Sequence, residues 1–324
     1  MKFKPVFKAT VWGGTRLKQL LNKNIPENKK IGESWELSDH PNGRSVIING
    51  SYKGKTLNQI KGLDRERLLG KKASENYPDR FPLLIKFLDA SDILSVQVHP
   101  DDAYAGKYEN DLGKTEMWYI LQSERSELVY GLNSGVTKDQ LADSIKQGTV
   151  TELLQKVKVN PEDVVFIPAG CVHAIGKGIV LVEIQENSDT TYRVFDWNRM
   201  GLDGKPRQLH VQKALEIIDY QFRGNITRGK NNFNGYREMK LLASSAYFET
   251  VLVNIKKHFT DKNQYNSFII YIIISGEGQI EYDVLEQSGN VIDFVKGDTL
   301  LVPSIIKRMD INTDTKCKII RVTY

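Results

Sequence analysis

Alternating hydrophobic and polar positions predict a chain built mainly from β-strands. In one segment Val96 and Val98 alternate with Ser95, Gln97 and His99. Successive side chains of a strand point to opposite faces, so the two valines share one face and the three polar residues share the other. We expect the valines to pack into a core and the polar residues to line a cavity.

The next predicted strand continues the polar face and supplies candidate metal ligands. Lys114 and Glu116 alternate in the same way, and His173 follows a Pro-Ala-Gly turn further along the chain. The imidazoles of His99 and His173, the carboxylate of Glu116 and the amide oxygen of Gln97 form a mixed nitrogen and oxygen donor set. Such a set suits Zn²⁺ or a similar divalent ion.

Two stretches carry helical rather than strand periodicity. Residues 56–70 have Thr56 as a plausible N-cap and leucine and isoleucine positions that share one face. Residues 137–157 open with Thr137 and Gln140 in a capping-box arrangement, followed by apolar stripes for two short helices. Both stretches are predicted as helical insertions between strands.

An internal repeat predicts a second domain. The sequence 163–168 matches 298–303 in spacing and character, and short strands separated by Gly and Pro turns favour a barrel or jelly roll in each half. The second copy lacks the histidine that follows the proline in the first, so its barrel is expected to be metal-free. A polar, Gly- and Asn-rich linker separates the predicted domains 1–235 and 236–324.

Composition and charge narrow the function classes. A chain of 324 residues with 40% hydrophobic and 26% charged residues is typical of a soluble globular protein. The sequence contains no apolar run of the roughly 18 to 20 residues that a membrane span needs and no secretion signal, so we expect a cytoplasmic protein without a membrane partner. Cys171 and Cys317 are too few for a disulfide framework. A net charge of +5 is too mild to indicate nucleic-acid binding.

Taken together, the motifs resemble the type I mannose-6-phosphate isomerases of the cupin superfamily, and most closely their short bacterial form. Several separated motifs in the family's order are much harder to obtain by chance than one short pattern. The motifs that carry the resemblance are 32–36, 94–100, 114–118, 167–173, 183–193 and 192–199.

The resemblance implies a fold, an activity and a cofactor. The implied fold is mainly β with helical insertions, arranged as two cupin-type β-barrels or jelly rolls. The implied activity is that of a zinc-dependent aldose–ketose isomerase, which interconverts mannose 6-phosphate and fructose 6-phosphate through an enediol or enediolate. The family's ligands for one zinc ion per chain fall on Gln97, His99, Glu116 and His173, and its catalytic arginine falls on Arg193.

Further roles follow for residues that surround this set. Lys114 is expected to bind an oxyanion of the substrate or to relay a proton, which gives it both a catalytic and a substrate-binding role. Glu183 is the candidate for the general base or for its orienting partner. Ser95 and Arg199 are expected to bind the substrate, with Arg199 near its phosphate group.

Two other readings of the same residues stay open at this point. A non-catalytic cupin that binds sugar phosphates would share the pocket but would not convert its ligand. A redox cupin with Fe²⁺ would also use histidine and carboxylate ligands, but the amide of Gln97 and the lack of a third histidine near His99 argue against it. The fold alone does not choose among these functions.

Overall fold

Strands joined by turns and short helices make up most of the chain, as the alternating pattern predicts. The computed structural model describes residues 1–60, 65–235, 238–264, 266–284 and 287–324. Within these ranges no helix combines the length and the hydrophobicity of a membrane span. The predicted class, mainly β with helical insertions, is confirmed, and the closure of each half into a barrel stays a prediction.

The first half of the chain forms two antiparallel sheets and a short two-stranded pair. The strands are β1 Phe3–Lys4, β2 Val6–Gly14, β3 Ile31–Leu37, β4 Val46–Ile47, β5 Leu83–Ala90, β6 Val96–Val98, β7 Glu116–Ser123, β8 Glu127–Leu132, β9 Leu154–Lys158, β10 Val164–Ile167, β11 His173–Ala174, β12 Ile179–Glu186 and β13 Tyr192–Phe195. A six-stranded sheet has the order β10-β7-β12-β5-β3-β2, and a five-stranded sheet has the order β13-β6-β11-β8-β9. Strands β1 and β4 form the separate pair.

Short helices connect these strands. The helices are α1 Arg16–Leu21, α2 Arg65–Leu69, α3 Lys71–Asn76, α4 Asp102–Tyr108, α5 Lys138–Gln147 and α6 Val211–Ile217, with 3₁₀ turns at Leu57–Gln59, Val150–Leu153 and Phe233–Gly235.

Both predicted helical insertions are present, but their bounds differ from the prediction. The stretch 56–70 is not one helix: it contains the first 3₁₀ turn and α2, while residues 61–64 of that prediction lie outside the described residues. In the stretch 137–157, Thr137 and Gln140 form the predicted capping box of α5. The second helical piece stops at Leu153, because Leu154 begins β9 and pairs with Leu132 of β8.

The second half forms two further antiparallel sheets. Its strands are β14 Lys230–Asn231, β15 Met239–Ser244, β16 Glu249–Ile255, β17 His258–Lys262, β18 Ile269–Ser275, β19 Glu277–Val284, β20 Gln287–Val295, β21 Thr299–Val302, β22 Arg308–Asn312 and β23 Cys317–Thr323. The sheets have the orders β14-β15-β16-β23-β18-β21 and β17-β22-β19-β20.

Strand β12 shows how the cores position the site, because both of its faces are buried. Ile179 and Leu181 belong to a core shared by the two large sheets of the first half, together with Trp118. Val180 and Val182 belong to a second core that also contains residues of the second half. Glu183 has the parity of Ile179 and Leu181, so its carboxylate points to the space between the sheets of the first half.

Candidate metal centre and active site

Three of the predicted ligands form one buried cluster. His99 lies just after β6, Glu116 opens β7 and His173 opens β11, and ligand atoms of the three side chains all lie within 4.8 Å of one another. Nε2 of His99 is 3.7 Å from Oε2 of Glu116, and Nε2 of His173 is 3.6 Å from Oε1. All three residues are fully buried. Residues distant in sequence therefore meet at one point.

Strand pairing brings Gln97 to the same place. His173 is the antiparallel partner of Gln97, and the amide Nε2 of Gln97 lies 3.3 Å from Nε2 of His173. The amide oxygen accepts a hydrogen bond of 3.3 Å from Ser95 Oγ instead. Gln97 is therefore adjacent to the cluster, but its amide oxygen faces Ser95. A half-turn of the amide group would exchange the positions of its oxygen and its nitrogen.

Backbone carbonyls fix the orientation of both imidazoles. Nδ1 of His99 lies 3.0 Å from the carbonyl oxygen of Thr190, and Nδ1 of His173 lies 2.9 Å from that of Cys171. A carbonyl oxygen only accepts hydrogen bonds, so Nδ1 carries the proton in each ring and Nε2 carries the lone pair. Burial lowers the pKa of His99 well below its usual value and that of His173 to about 4, which keeps both rings neutral. Each Nε2 is thus a metal-ligand atom held in place.

The carboxylate of Glu116 shows that this cluster suits a cation. Both of its oxygens are buried and, in the described part of the chain, accept no hydrogen bond. Burial raises the pKa of Glu116 to about 7, with Glu183 adding to the rise and Lys114 opposing it. A buried carboxylate that faces two imidazole lone pairs, with the Lys114 ammonium 3.4 Å from one of its oxygens, is stabilised further by a positive charge between it and the imidazoles. The donor set therefore fits a divalent ion such as Zn²⁺.

Lys114 brings a positive charge to the same atoms. Its Nζ lies 3.1 Å from Nε2 of His99 and 3.4 Å from Oε2 of Glu116, and the side chain is almost entirely buried. Lys114 also lines the adjacent cavity. It can therefore contact a bound substrate and the ligand set at once.

A polar cavity of about 310 Å³ opens beside the cluster. Its lining includes the predicted residues Ser95, Gln97, Lys114, Glu183 and Arg193. A second cavity of about 360 Å³ lies in the second half and at its border with the N-terminal segment. It is mostly apolar and contains none of the predicted site residues, so the polar cavity is the one that belongs to the candidate site.

Glu183 is held as a carboxylate by residues that the sequence pattern did not single out. Its Oε1 accepts a hydrogen bond of 3.0 Å from Trp118 Nε1, and its Oε2 lies 3.0 Å from Nζ of Lys86. Burial raises the pKa of Glu183, but the ammonium groups of Lys86 and Lys114 outweigh it and hold that pKa below its usual value. Lys86 and its other partner Glu33, at 3.5 Å, also line the cavity.

The three arginines predicted or found near the site occupy different positions. Arg193, on β13, donates to Ser95 Oγ at 3.3 Å and to the carbonyl oxygen of Gln208, and it lines the cavity. Arg199 donates to the carbonyl oxygen of Ile93 and is absent from the cavity lining. Arg207, which the sequence analysis missed, does line it.

A hairpin-like loop explains this arrangement. Met200 and Pro206 form an isolated β-bridge, so Arg199 and Arg207 lie side by side at the base of the loop. Both donate to Asp196, Arg199 Nε at 3.0 Å and Arg207 Nε at 2.6 Å. The sequence shows two arginines in one loop, and the lining of the cavity shows that Arg207, and not Arg199, reaches it.

The comparisons with known proteins give the family. The sequence model described as phosphomannose isomerase type I, catalytic domain, matches residues 1–137. The chain is 42% identical to mannose-6-phosphate isomerase ManA of Bacillus subtilis over 309 residues, which cover 93% of this chain and 92% of that protein. It is 38% identical to the mannose-6-phosphate isomerase of Streptococcus mutans over 305 residues, covering 94% and 92%.

A solved structure agrees with these sequence relatives. The crystal structure of the mannose 6-phosphate isomerase from Bacillus subtilis is similar with a TM-score of 0.88 and 34% identity, covering 99% of this chain and 98% of that chain. The similarity therefore spans both halves, and not only the segment that holds the buried cluster. On this evidence the chain belongs to the type I mannose-6-phosphate isomerase family.

Proposed function

We propose that this protein is a zinc-dependent aldose–ketose isomerase that interconverts mannose 6-phosphate and fructose 6-phosphate. The observation that carries the proposal is the buried His99, Glu116 and His173 cluster beside a cavity lined by cationic side chains. A divalent ion suits sugar oxygens, and a cationic lining suits a phosphate group. The relatives named mannose-6-phosphate isomerase support this choice of sugar.

The cluster would hold one zinc ion through His99, Glu116 and His173, with the amide oxygen of Gln97 as a further ligand after its half-turn. When bound, Zn²⁺ polarises a carbonyl or hydroxyl oxygen of the open-chain sugar. With three protein ligands the ion would keep a position open for that oxygen. Nδ1 of each histidine is already engaged by a carbonyl, so neither ring has to reorient to bind.

Glu183 is the proposed base for moving the proton between the two adjacent carbons of the sugar. It borders the cavity and stays ionised beside Lys86, so it can accept a proton at neutral pH. Lys114 would bind the developing oxyanion or relay a proton between the two oxygens. Trp118 and Lys86 fix the direction in which the carboxylate of Glu183 points.

Arg193 and Arg207 divide the negative charges of the substrate in this proposal. Arg193 is permanently charged and would stabilise the enediolate without changing its own protonation state. Ser95, which accepts a hydrogen bond from Arg193, would hold a substrate oxygen nearby. Arg207 takes the phosphate-binding role that the sequence analysis gave to Arg199, because Arg207 lines the cavity and Arg199 does not.

The cytoplasmic location and the expectation of no nucleic-acid or membrane partner are predictions from the composition.

A purely sugar-phosphate-binding protein would need the cavity and the cationic lining. It would have less use for a buried carboxylate base held ionised by a lysine.

The proposal is tested by a coupled assay that detects fructose 6-phosphate formed from mannose 6-phosphate. The wild-type protein is expected to convert the substrate. The variant Arg193→Ala is expected to keep its metal content and its fold but to lose about 10²-fold or more in kcat, because one transition-state charge stabiliser is missing. Metal content is measured on the same samples.

Arg223→Ala is the matched control, since Arg223 is exposed and lies outside the cavity lining. It should retain wild-type turnover. A wild-type protein that binds mannose 6-phosphate without forming fructose 6-phosphate would contradict the isomerase and favour the binding protein. Wild-type kcat in Arg193→Ala would remove Arg193 from the chemistry.

A further inference from the structure

The loop that follows β12 touches both the metal cluster and the cavity. The carbonyl oxygen of Thr190 accepts the hydrogen bond from Nδ1 of His99, at 3.0 Å. Asp189 and Thr191, on either side of Thr190, line the polar cavity. A shift of this loop would therefore change the orientation of one imidazole and the shape of the substrate pocket together.

One aspartate collects the hydrogen-bond donors of this loop. Oδ2 of Asp111 accepts from Ser188 Oγ at 3.0 Å, from Thr190 Oγ1 at 3.1 Å and from the backbone N–H of Asp189 at 3.4 Å. Three consecutive residues thus bind one carboxylate oxygen. Thr190 is further tied by its own N–H, which donates to Ser188 Oγ at 3.2 Å.

The other side of Asp111 is anchored to a different part of the fold. Its Oδ1 accepts from Arg80 Nη1 at 2.6 Å and from the N–H of Leu112 at 2.9 Å. Only 13% of the Asp111 side chain is exposed. Bonds to an ionised acceptor are roughly twice as strong as neutral ones, so a mostly buried carboxylate with this many donors is a firm attachment point.

His40 faces the same carboxylate. Its Nδ1 accepts a hydrogen bond of 3.2 Å from the N–H of Asn42, so its proton is on Nε2, which lies 3.6 Å from Oδ2 of Asp111. Burial raises the pKa of Asp111, but hydrogen bonds from His40 and Arg80 outweigh it and hold that pKa well below its usual range. Asp111 is therefore an anion at neutral pH.

A simpler reading gives Asp111 a structural role only. It lies between α4 and β7, and its bond to Arg80 alone would stabilise that connection. This reading predicts a loss of stability on substitution and nothing else. It does not explain why three hydrogen-bond donors to Asp111 come from the short loop 188–190. The Thr190 carbonyl of the same loop also binds His99, a candidate ligand of the cluster.

We propose that Asp111 is a positioning residue of the metal centre: it fixes the loop 188–190 so that the Thr190 carbonyl holds His99 with Nε2 directed at the cluster. The inference rests on the proposed zinc site, but not on the identity of the sugar. Asp111 itself touches neither a candidate ligand atom nor the cavity.

The test compares Asp111→Asn with Asp261→Asn. Asp261 is a buried aspartate in the second half that accepts from Tyr271 Oη at 2.6 Å and from Arg321 Nε at 2.7 Å, so its substitution also weakens a buried polar cluster. The readouts are the dissociation constant for Zn²⁺, measured by competition with a chromogenic chelator, the Tm, and KM for mannose 6-phosphate.

Asp111→Asn is expected to weaken zinc binding about 10-fold, the scale on which partners of metal-bound histidines act. It should also raise KM, because Asp189 and Thr191 line the cavity. Asp261→Asn should lower the Tm while leaving zinc affinity and KM at their wild-type values. Wild-type zinc affinity in folded Asp111→Asn would overturn the proposal.

A second variant keeps the test decisive if Asp111→Asn does not fold. Thr190→Val removes the Oγ1 donor to Asp111 and leaves the backbone carbonyl that binds His99. Weaker zinc binding in this variant supports the proposal, and wild-type zinc binding overturns it.

The two proposals fail in different ways. If the wild-type protein binds zinc but forms no fructose 6-phosphate, the proposed function fails while the effect of Asp111 on zinc affinity still stands. If the wild-type protein is an active isomerase and Asp111→Asn binds zinc as well as wild type does, only the role of Asp111 fails.

Discussion

At the scale of single residues, strand parity made part of the site predictable. Gln97 and His99 lie two positions apart, as do Lys114 and Glu116, and alternation alone puts each pair on one face of its strand. The structure brings Gln97, His99 and Glu116 to His173, and it places Lys114 against His99 and Glu116. A pattern of period two therefore carries information about a site when the ligands sit on or beside strands.

Strand alternation did not predict the site residues that lie on loops or on strands buried on both faces. Lys86 lies within a strand whose neighbours are nearly all apolar, so its contact with Glu183 could not be read from alternation. Arg207 and Asp111 lie on loops, where no periodicity relates one residue to the next. Their positions depend on contacts that periodicity does not predict, such as the bridge from Met200 to Pro206 within one loop and the hydrogen bonds of Asp111 with Ser188 and Thr190.

The contrast between two neighbouring arginines gives a residue-scale prediction. Arg207→Ala should raise KM for mannose 6-phosphate by about 10-fold or more, since a hydrogen bond to a charged group is worth roughly 1.5 to 3 kcal/mol. Arg199→Ala is the matched control, because Arg199 also binds Asp196 but lies outside the cavity lining. Its KM should stay near the wild-type value. A raised KM in Arg199→Ala alone would return the phosphate role to Arg199.

At the scale of elements, strands were predicted better than helices. Short strands end at Gly and Pro turns that the sequence shows directly, whereas the stretch 56–70 has helical periodicity but forms only a 3₁₀ turn and the short helix α2 in its described part. Tertiary packing decides such cases, because a helix of one or two turns has little stability of its own. Burial likewise decides the behaviour of Glu186, the last residue of β12, whose pKa it raises.

Glu186 gives the element-scale prediction. The residue is buried, and its Oε2 accepts a hydrogen bond of 2.7 Å from the N–H of Thr115. Burial raises its pKa from 4.5 to about 8, and nearby Asp102 adds to the rise. A raised pKa in the folded state means that the folded protein binds more protons than the unfolded chain between these two values, so stability falls as the pH rises through this window.

Denaturant unfolding at several pH values measures this effect. Relative to Glu186→Gln, which cannot ionise, wild type should lose stability between pH 4.5 and about pH 8, with a slope of at most about 1.4 kcal/mol per pH unit. Glu127→Gln, at an exposed glutamate, should follow wild type. Parallel pH profiles for wild type and Glu186→Gln would contradict the prediction, because they would show that the pKa of Glu186 is not raised in the folded protein.

At the scale of the whole molecule, the predicted internal repeat has a structural counterpart. The repeated segments become β10 and β21, which lie at the edges of the two six-stranded sheets. The two sheets are β10-β7-β12-β5-β3-β2 and β21-β18-β23-β16-β15-β14. When each sheet is read from that edge, its strands follow one another along the chain in the same relative order. Five residues after the proline, the first half carries His173 and the second half carries Arg308, so the ligand histidine is not repeated.

The two halves also share a core. Phe81 and Phe268 lie with ring centroids 4.7 Å apart in an apolar cluster that draws residues from both halves. The N-terminal residue Met1 contacts the backbone of Leu301 as well. The division into domains 1–235 and 236–324 stays a prediction, and the shared core is a reason to expect that the halves depend on each other for stability.

The account as a whole depends on a divalent ion held by residues from three separate strands or their ends. The most direct measurement follows mannose 6-phosphate conversion by the full-length wild-type protein before chelation, after chelation, and after Zn²⁺ is added back, with the metal content determined at each stage. The account predicts one zinc ion per chain, loss of turnover with loss of metal, and recovery of both. Full turnover by a metal-free sample would contradict it.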